Sequence, residues 1–597
     1  MVASREMRAT RELPLAASLV LAAGALFFAG GPGDSSLLWL GGGALAALVA
    51  AAALHGPPRG LVALGPLAAL AAWLGLSIAW STLPDRSWDY ANRAFVYVLF
   101  ALLGLYLAGR TRQLALGLAV LLGALAAWSL LGKVLPPVYD YGAPGVTRLR
   151  GPVGLWNQLA LLGAFALPLA LWRRRLDGTL LAYAWIVALL LTYSRGGLVT
   201  AVAVLVAWFA FTDDRVESAA TLVAAAAPAA VVVGVAFALP GITANGQPAH
   251  VRWRDGLVFG ALLLAGAVAS VLLERLPRPR VTRRLTRGLA AAGALAVAAA
   301  VAVVVVKGTG STSVGSGGGR LASTSSNFRF VWWEQAWHGF THHVLGGTGA
   351  GTFRLTNLLY RGSYLDVTTE PHDLPLQFLT ETGIVGLLLL VAAAALLLRG
   401  SLRRSGAELA LALFLPAYLL HALVDVDWDF AAVSVPAFLA AGALAGRPPA
   451  LRPSPFAALA AAGGALLAFG SLLLPWLGTR WALDAQATLD RPHAIHLANR
   501  ARSVDPLLVE PLWALAAAYE DRPTLAFAYY RAAVRKQPHN PETWLAAGLY
   551  ALRIGCPRNA YPYLEKFTEL DNKNRPDVGA DAYREALRLV DSGKPKC

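Results

Sequence analysis

The stretch TTEPHDLPLQFLTETGIVGLLLLVAAAALLL, residues 368–398, joins two kinds of chemistry in one segment. Its first half contains Glu370, His372, Asp373 and Glu381, whereas its second half is an unbroken apolar run. A run of this length can cross the hydrocarbon layer of a membrane as a helix. Because ionisable groups beside lipid are costly, those at the mouth of the run must be solvated, paired or used in chemistry.

Similar apolar runs recur along the chain. Of its 597 residues, 57% are hydrophobic and 14% are charged, so a soluble core could not bury the apolar surface. About fifteen runs are long enough to span a membrane, which predicts an all-α polytopic integral membrane protein. The predicted spans are 13–31, 36–54, 61–79, 93–109, 113–131, 157–171, 179–193, 196–211, 217–240, 256–273, 288–306, 383–398, 408–424, 431–446 and 456–477.

The distribution of basic residues predicts the orientation of these spans. Short loops rich in Lys and Arg stay on the cytoplasmic side of a membrane. With a cytoplasmic N-terminus, alternating spans place the arginines at 173–175 and the basic loop at 275–287 inside, and everything after Leu477 outside. The net charge of +16 is then a positive-inside signal, and it does not require a nucleic-acid partner.

The tail contains an internal repeat. VEPLWALAAAYE at 509–520 and NPETWLAAGLYA at 540–551 superimpose with Trp513 over Trp544, a period of 31 residues. This spacing is close to the tetratricopeptide pattern, whose helix pairs stack into a short solenoid. Such a solenoid either binds a protein partner or acts as a rigid lid. We therefore expect a membrane domain over 1–477 and a tetratricopeptide-like α-helical repeat domain over 478–597.

Two predicted outward segments, 132–156 and 307–382, are long for a compact protein, which indicates function or disorder. Within the second, STSVGSGGG at 311–319 is typical of a flexible linker. NFRFVWWEQAWHGF at 327–340 is instead an amphipathic, Trp-rich pattern. We expect a helix there that lies along the outer membrane interface, where indole rings are favourable.

Several outward groups are candidates for a site. Arg195, at the outer end of a span, should face a water-filled or substrate-filled cavity, because an arginine beside lipid is costly. Arg329 and Trp333 lie on the Trp-rich helix, although an interfacial arginine can also snorkel to headgroups. His372 and Asp373 should occupy the first turn of a helix. A histidine at a span mouth can equally be a satisfied polar residue.

Two other motifs are misleading. VLGGTGAGTF at 344–353 contains a GxG, but no βαβ unit surrounds it, so it predicts tight turns and not a dinucleotide site. HALVDVDWDF at 421–430 places Asp425, Asp427 and Asp429 like a metal-binding DxD motif. We expect these carboxylates to cap and pair, with His421 nearby, and we predict no metal site.

Together, the ordered motifs resemble the bacterial O-antigen ligase and O-antigen polymerase superfamily. They are SRGG at 194–197, NFRFxWWxxAW at 327–337, LGGTGAGTF at 345–353 and HDLPLQFLTETGIVG at 372–386. The resemblance implies a GT-C-like helical bundle. It also implies an essential histidine, matched by His372 followed by Leu376, and arginines that bind a lipid-linked diphosphate, matched by Arg195 and Arg329.

The resemblance leaves the proton acceptor open. Asp373 stands where the family often has Asn or another small polar residue. His372, with a reference pKa of about 6.5, suits a general base. Glu370 is the rival base, Asp373 could orient the imidazole, and Trp333 is expected to support the site. Two arginines could neutralise a diphosphate, so we expect neither a metal nor a cofactor.

These expectations define a metal-independent, inverting glycosyltransferase of the bacterial inner membrane. It would move a glycan from an undecaprenyl diphosphate carrier to an acceptor hydroxyl of a glycan, lipid or protein outside the cell. A lipid-linked glycan flippase is an alternative, but such transporters usually show mid-span charges and two-fold repeats, which are not evident here. A membrane scaffold that recruits envelope enzymes through its tail is another. The sequence does not separate polymerase from ligase.

Overall fold

The computed structural model describes residues 2–28, 30–139, 147–276, 288, 325–448, 454–571, 573–574, 579 and 581–591. The predicted span 288–306 and the predicted linker 311–319 lie outside the described residues, apart from position 288. In the described ranges the only β pairing is a single bridge between Arg59 and Arg447. The prediction of an all-α polytopic membrane protein is confirmed.

Helices occur at every predicted span within the described residues. The first group is α1 (Val2–Phe27), α2 (Asp34–His55), α3 (Gly65–Ser77), α4 (Pro84–Tyr106), α5 (Thr111–Val134), α6 (Trp156–Arg173), α7 (Arg175–Leu191), α8 (Arg195–Phe211), α9 (Arg215–Ala236), α10 (Pro240–Thr243) and α11 (Ala249–Glu274). The second is α12 (Arg329–His342), α13 (Phe353–Tyr360), α14 (Leu374–Gly400), α15 (Gly406–Ala412), α16 (Phe414–His421), α17 (Ala431–Ala445) and α18 (Pro455–Ala487). By length and apolar composition, six described helices could cross a membrane, namely α2, α5, α9, α11, α14 and α18.

The chain divides into two compact units, each made of separate segments. The first unit comprises Met1–Pro66, Val96–Phe328 and Ala392–Ala465. The second unit comprises Leu67–Phe95, Arg329–Val391 and Leu466–Cys597. The expected domain boundary after residue 477 falls inside helix α18. The tail therefore belongs to the same compact unit as the segment that contains His372.

The core of the first unit is built on α6, which is apolar on all sides. Every residue from Gln158 to Leu171 is buried, as expected for a helix without a polar face. The ring of Phe165 stacks on Phe414 with centroids 4.5 Å apart. Gly197 of α8 allows α6 to approach closely, since a Cβ there would lie 2.3 Å from the Cβ of Ala160.

The second unit contains a tight turn over residues 345–353, which we call the glycine loop. Its backbone groups form hydrogen bonds with the segment that precedes α4 and with α14. The Thr82 N–H donates to the Thr348 carbonyl (3.0 Å), and the Gly349 N–H donates to the Glu381 carbonyl (2.8 Å). Gly347, Gly349 and Gly351 all have positive φ, so the predicted tight turns are present.

The tail is a series of short helices in the second unit. They are α19 (Arg491–Val504), α20 (Glu510–Ala518), α21 (Pro523–Lys536), α22 (Pro541–Arg553), α23 (Pro557–Leu570) and α24 (Asp581–Asp591). Proline lies at the start of α19 to α23, where its missing N–H costs no helical hydrogen bond. Tyr530 and Tyr550 are buried in one apolar cluster, flanked by the repeat-related Trp513 and Trp544.

Candidate active site

His372 lies in the turn that precedes α14, in an unusual backbone conformation. Its φ is 57°, in the left-handed region that few residues other than glycine adopt. We expected His372 and Asp373 in the first turn of a helix, and this is corrected by the structure, because α14 begins at Leu374. Such strained residues cluster at functional sites, where the surrounding structure holds them in place.

Asp373 caps α14 instead of joining it. Its Oδ1 accepts a hydrogen bond from the Leu376 backbone N–H at 2.8 Å. This contact satisfies one of the amides that have no partner inside the helix. Burial raises the pKa of Asp373 to about 6, and the Leu376 amide only partly offsets that effect.

A tryptophan holds the ring of His372. The Trp332 and His372 ring centroids lie 4.8 Å apart with the planes tilted by 59°. Trp332 is itself fixed, because its indole Nε1–H donates to the Asp366 carbonyl at 2.9 Å. The imidazole is therefore restricted on one side by a ring that cannot easily turn.

Trp333, the residue expected to support the site, packs against Phe330 and not against His372. Its ring packs edge-on against Phe330, with centroids 5.2 Å apart. Its Nε1 is buried and has no hydrogen-bond partner among the described residues. The ring that contacts His372 is that of the neighbouring Trp332. Arg329 starts the same helix, one turn before Trp332.

Glu370 enters a chain of polar side chains that leads to the buried Glu381. The Tyr90 hydroxyl donates to Glu370 Oε1 at 3.3 Å. Gln377 Nε2 lies 3.4 Å from both the Tyr90 hydroxyl and Glu381 Oε1. Thr369 donates to the other Glu370 oxygen. Glu370 is half-buried. The Tyr90 and Thr369 hydroxyls orient its carboxylate, whereas a carboxylate exposed on the surface would have no fixed orientation.

Glu381 fastens the glycine loop to α14. Its carboxylate is only 2% exposed and accepts from the backbone N–H groups of Gly351 (2.8 Å) and Phe353 (3.1 Å). A buried carboxylate requires such donors, because an unpaired charge in a low-dielectric site is costly. Of the charges in the opening stretch, this one is therefore paired in the structure.

Three residues on α4 lie near the candidate site but are not among the residues predicted from the sequence. Arg86, Tyr90 and Arg93 lie on one face of this helix, because their spacings of four and three match the helical period. Both guanidinium carbons lie near the Tyr90 ring, at 5.5 Å for Arg86 and 5.7 Å for Arg93. The signal was an Arg–Tyr–Arg stripe at the start of an apolar helix. It brings two positive charges to the tyrosine that contacts Glu370.

Arg195 lies in the first unit, whereas the other predicted site residues lie in the second. It starts α8, whose preceding residue Ser194 accepts from the Gly197 N–H at 3.2 Å. The Arg195 guanidinium is half-buried and donates to the Ser325 carbonyl at 2.6 Å. The arginine is therefore held by a protein carbonyl at the N-terminus of its helix.

The first unit also contains a buried polar cluster around His421. His421 Nδ1 lies 2.7 Å from Asp427 Oδ2, and both side chains are fully buried. Gln158 donates to Asp427 at 3.2 Å, and Asn157 donates to Asp425. These aspartates pair with nearby donors, as the sequence predicted for this segment.

The fold and this geometry define a polytopic helical membrane protein with a polar site at the mouth of an apolar helix. Residues 256–391 match the model of the family described as O-Antigen ligase. Over these residues the chain is similar to the O-antigen ligase family, which supports the resemblance to the O-antigen ligase and O-antigen polymerase superfamily. No curated protein matches the chain.

The matched region includes Arg329, Glu370, His372 and Asp373. It supports membrane glycan transfer of the O-antigen ligase or polymerase type in general, with a lipid-linked glycan and an acceptor as partners. The tail and helix α4 lie outside the match.

Proposed function

We propose that this protein transfers a glycan from an undecaprenyl diphosphate carrier to an acceptor hydroxyl, with inversion at the anomeric carbon and without a metal. The observation that supports this most directly is the held conformation of His372. The residue has a positive φ, contacts the fixed Trp332 ring and follows the oriented Glu370 by two positions in the sequence. A base needs this kind of fixed geometry more than a lipid-facing polar residue does.

In the proposed step, the acceptor oxygen attacks the anomeric carbon from the side opposite the diphosphate. A new carbon–oxygen glycosidic bond forms while the bond from that carbon to the phosphate oxygen breaks. The acceptor proton passes to His372, and undecaprenyl diphosphate leaves with the electron pair. Such general-base assistance is typically worth ~10²–10⁴-fold in rate. Glu370 remains the rival base.

The leaving diphosphate requires positive charge nearby. In the second unit, Arg329 starts the helix that carries Trp332, and Arg86 and Arg93 flank Tyr90. Guanidinium groups bind phosphate oxygens in bidentate fashion and stay charged at any relevant pH. We assign diphosphate binding to Arg329, with Arg86 and Arg93 as supporting charges. The same role for Arg195 rests on the family resemblance.

The proposed orientation determines the side of the membrane on which the transfer occurs. With a cytoplasmic N-terminus, the site and the tail lie on the outer face of the bacterial inner membrane. The acceptor is then a glycan, lipid or protein outside the cytoplasm. The tail is proposed to be a tetratricopeptide-like domain over 478–597.

The test is an assay of purified full-length protein with radiolabelled undecaprenyl diphosphate oligosaccharide from its host, in the presence of EDTA. Wild type is compared with His372→Ala, Glu370→Gln and the control His343→Ala, which replaces an exposed histidine. We expect transfer by wild type and the control, and a loss of about a hundredfold or more in His372→Ala. The anomeric configuration of the product is read by NMR.

Full transfer by His372→Ala would reject the assigned base. Loss in Glu370→Gln with retention in His372→Ala would move that role to Glu370. Transfer abolished by EDTA would contradict a metal-independent reaction. A product that retains the donor's anomeric configuration would contradict single in-line displacement.

A further inference from the structure

The tail contains a groove that the proposed reaction does not use. Three successive helices, α21, α22 and α23, line a space of about 310 Å³. This volume is at the lower end of the range of ~300–1,000 Å³ for small-ligand sites. We call it the tail groove, and its lining residues are Arg531, Val534, Arg535, Trp544, Pro562 and Tyr563.

The walls of the tail groove are flat and partly apolar. The rings of Trp544 and Tyr563 lie 5.7 Å apart at an angle of 44°. Trp544 is fixed, because its indole Nε1–H donates to the Pro538 carbonyl at 2.8 Å. Tyr563 also packs edge-on against Phe527, with centroids 5.5 Å apart. The groove therefore offers two inclined aromatic faces that lose little entropy when a ligand binds.

Two uncompensated positive charges lie beside these faces. Arg531 and Arg535 are one turn apart on α21, and both are exposed. Neither forms an ion pair within the described residues, although Arg531 lies 5.5 Å from the centroid of the Phe527 ring. Burial raises the pKa of Tyr563 while both arginines lower it, so its hydroxyl lies within their electrostatic reach.

Several other arginines of the tail pair with carboxylates. Arg491 pairs with Asp521 at 2.6 Å, and Arg553 pairs with Glu520 at 3.0 Å. The charge of an exposed guanidinium is partly compensated when a carboxylate lies nearby, so such a guanidinium attracts an anionic ligand less strongly. Arg531 and Arg535 pair with no carboxylate in the part of the chain that the structure describes, so we treat their charge as available to an anionic partner.

The combination of ring faces and guanidinium groups favours an acidic sugar over an acidic peptide. A pyranose ring presents a flat face of C–H groups, and a uronate carboxylate lies at its rigid edge. It can therefore contact an aromatic face and a guanidinium at once. The carboxylates of an acidic peptide lie on flexible stems, and ordering them costs more side-chain entropy.

We propose that the tail groove binds an anionic glycan segment, with uronate carboxylates on Arg531 and Arg535 and sugar rings on Trp544 and Tyr563. The inference rests on the proposed function, since a glycan is the molecule that this protein would handle. Within the second unit, Arg361, the residue that follows α13, forms a buried ion pair with Asp571 of the tail. A groove on this anchored domain would retain the acceptor or product chain between transfer steps.

The experiment measures binding of a galacturonic acid hexamer to full-length protein in detergent by isothermal titration calorimetry. Its carboxyl-reduced, neutral counterpart and hexaglutamate are the comparison ligands. The protein variants are Arg531→Gln/Arg535→Gln and Trp544→Ala. Arg522→Gln/Arg558→Gln is the charge-matched control, which removes two exposed tail arginines outside the groove. His372→Ala separates binding from transfer.

We expect the acidic hexamer to bind wild type, the control and His372→Ala equally. Binding should weaken about tenfold or more in the Arg531/Arg535 variant, because two charge-assisted contacts are lost. It should also weaken in Trp544→Ala and with the neutral hexamer. If His372→Ala retains transfer, the proposed reaction fails, whereas the binding result stands on its own.

Three results would overturn the inference. The acidic hexamer could bind the Arg531/Arg535 variant as tightly as wild type, or bind none of the proteins at millimolar concentration. Hexaglutamate could instead bind as tightly as the acidic hexamer with the same sensitivity to these variants, which would make the groove a peptide site.

Discussion

The residues at the start of α14 combine strain with capping. The left-handed φ of His372 turns the chain sharply just before the helix, and Asp373 then accepts the Leu376 amide. A non-glycine residue in this region costs roughly 1–2 kcal/mol, which the cap and the Trp332 contact help to offset. The imidazole therefore points in a direction set by the backbone as well as by its own side-chain torsions.

The raised pKa of Asp373 predicts a pH-dependent stability. Between about pH 4 and pH 6, the unfolded state loses this proton while the folded state, with its pKa of about 6, retains it. The free energy of unfolding should therefore fall as the pH rises through this window, and the loss is complete above it. Asp373→Asn keeps a capping oxygen but cannot ionise.

At pH 7.5 we expect Asp373→Asn to have a higher free energy of unfolding than wild type, by at most about 3 kcal/mol, and a higher midpoint temperature. At pH 4 the two proteins should be equally stable. Tryptophan fluorescence during heating, repeated from pH 4 to pH 8, measures the difference. If the stability of Asp373→Asn depended on pH in the same way as that of wild type, the Asp373 carboxylate would already be ionised at low pH in the folded protein.

At the scale of elements, the glycine loop depends on residues that lack a side chain. A Cβ on Gly347 would lie 2.2 Å from the Glu381 carbonyl carbon, and its φ is 65°. A Cβ on Gly349 would lie 2.2 Å from the Ser81 Oγ, and one on Gly351 would lie 2.5 Å from the Tyr90 ring. The loop can therefore approach both α14 and α4 only because these positions are glycine.

Gly347→Ala should displace the glycine loop from α14 and lower the free energy of unfolding by about 2–5 kcal/mol, from strain and overpacking together. Glycan transfer should fall with it, since the loop supports Glu381. Gly362→Ala is the matched control, because no atom lies within 4 Å of its Cβ position. Thermal unfolding and the transfer assay compare the two. Equal stability of both variants would contradict the close contact.

Local sequence patterns predicted much of this arrangement, whereas contacts between residues far apart in the sequence could not be predicted. Apolar run length gave the helices, and clustered glycines gave the turns. The pairing of Tyr90 with Glu370 joins residues 280 positions apart, and no local pattern encodes such a contact. Trp332 and Trp333 are adjacent, so composition could not show which ring faces His372. Only the rotational setting of α12 decides that.

At the scale of the whole chain, the tail is part of the unit that contains His372. Helix α13 and the residue that follows it contact the tail through two ion pairs, one buried and one exposed. Arg361 and Asp571 are 4% and 9% exposed in their side chains, whereas Arg354 and Glu542 are 45% and 44% exposed. Deleting the tail would therefore strip contacts from α13 as well. Single substitutions test its role more cleanly.

Asp571→Asn should leave the Arg361 charge buried without its carboxylate, at a cost of about 3–5 kcal/mol. Hydrogen exchange should then speed up in α13 and α23, and transfer should decline if the tail positions the segment between α13 and His372. Arg354→Gln, the control, removes an exposed pair worth at most about 1 kcal/mol and should change neither readout. Faster exchange with undiminished transfer would show that the tail is a separate binding module. The tail groove would then serve glycan retention without shaping the reaction site.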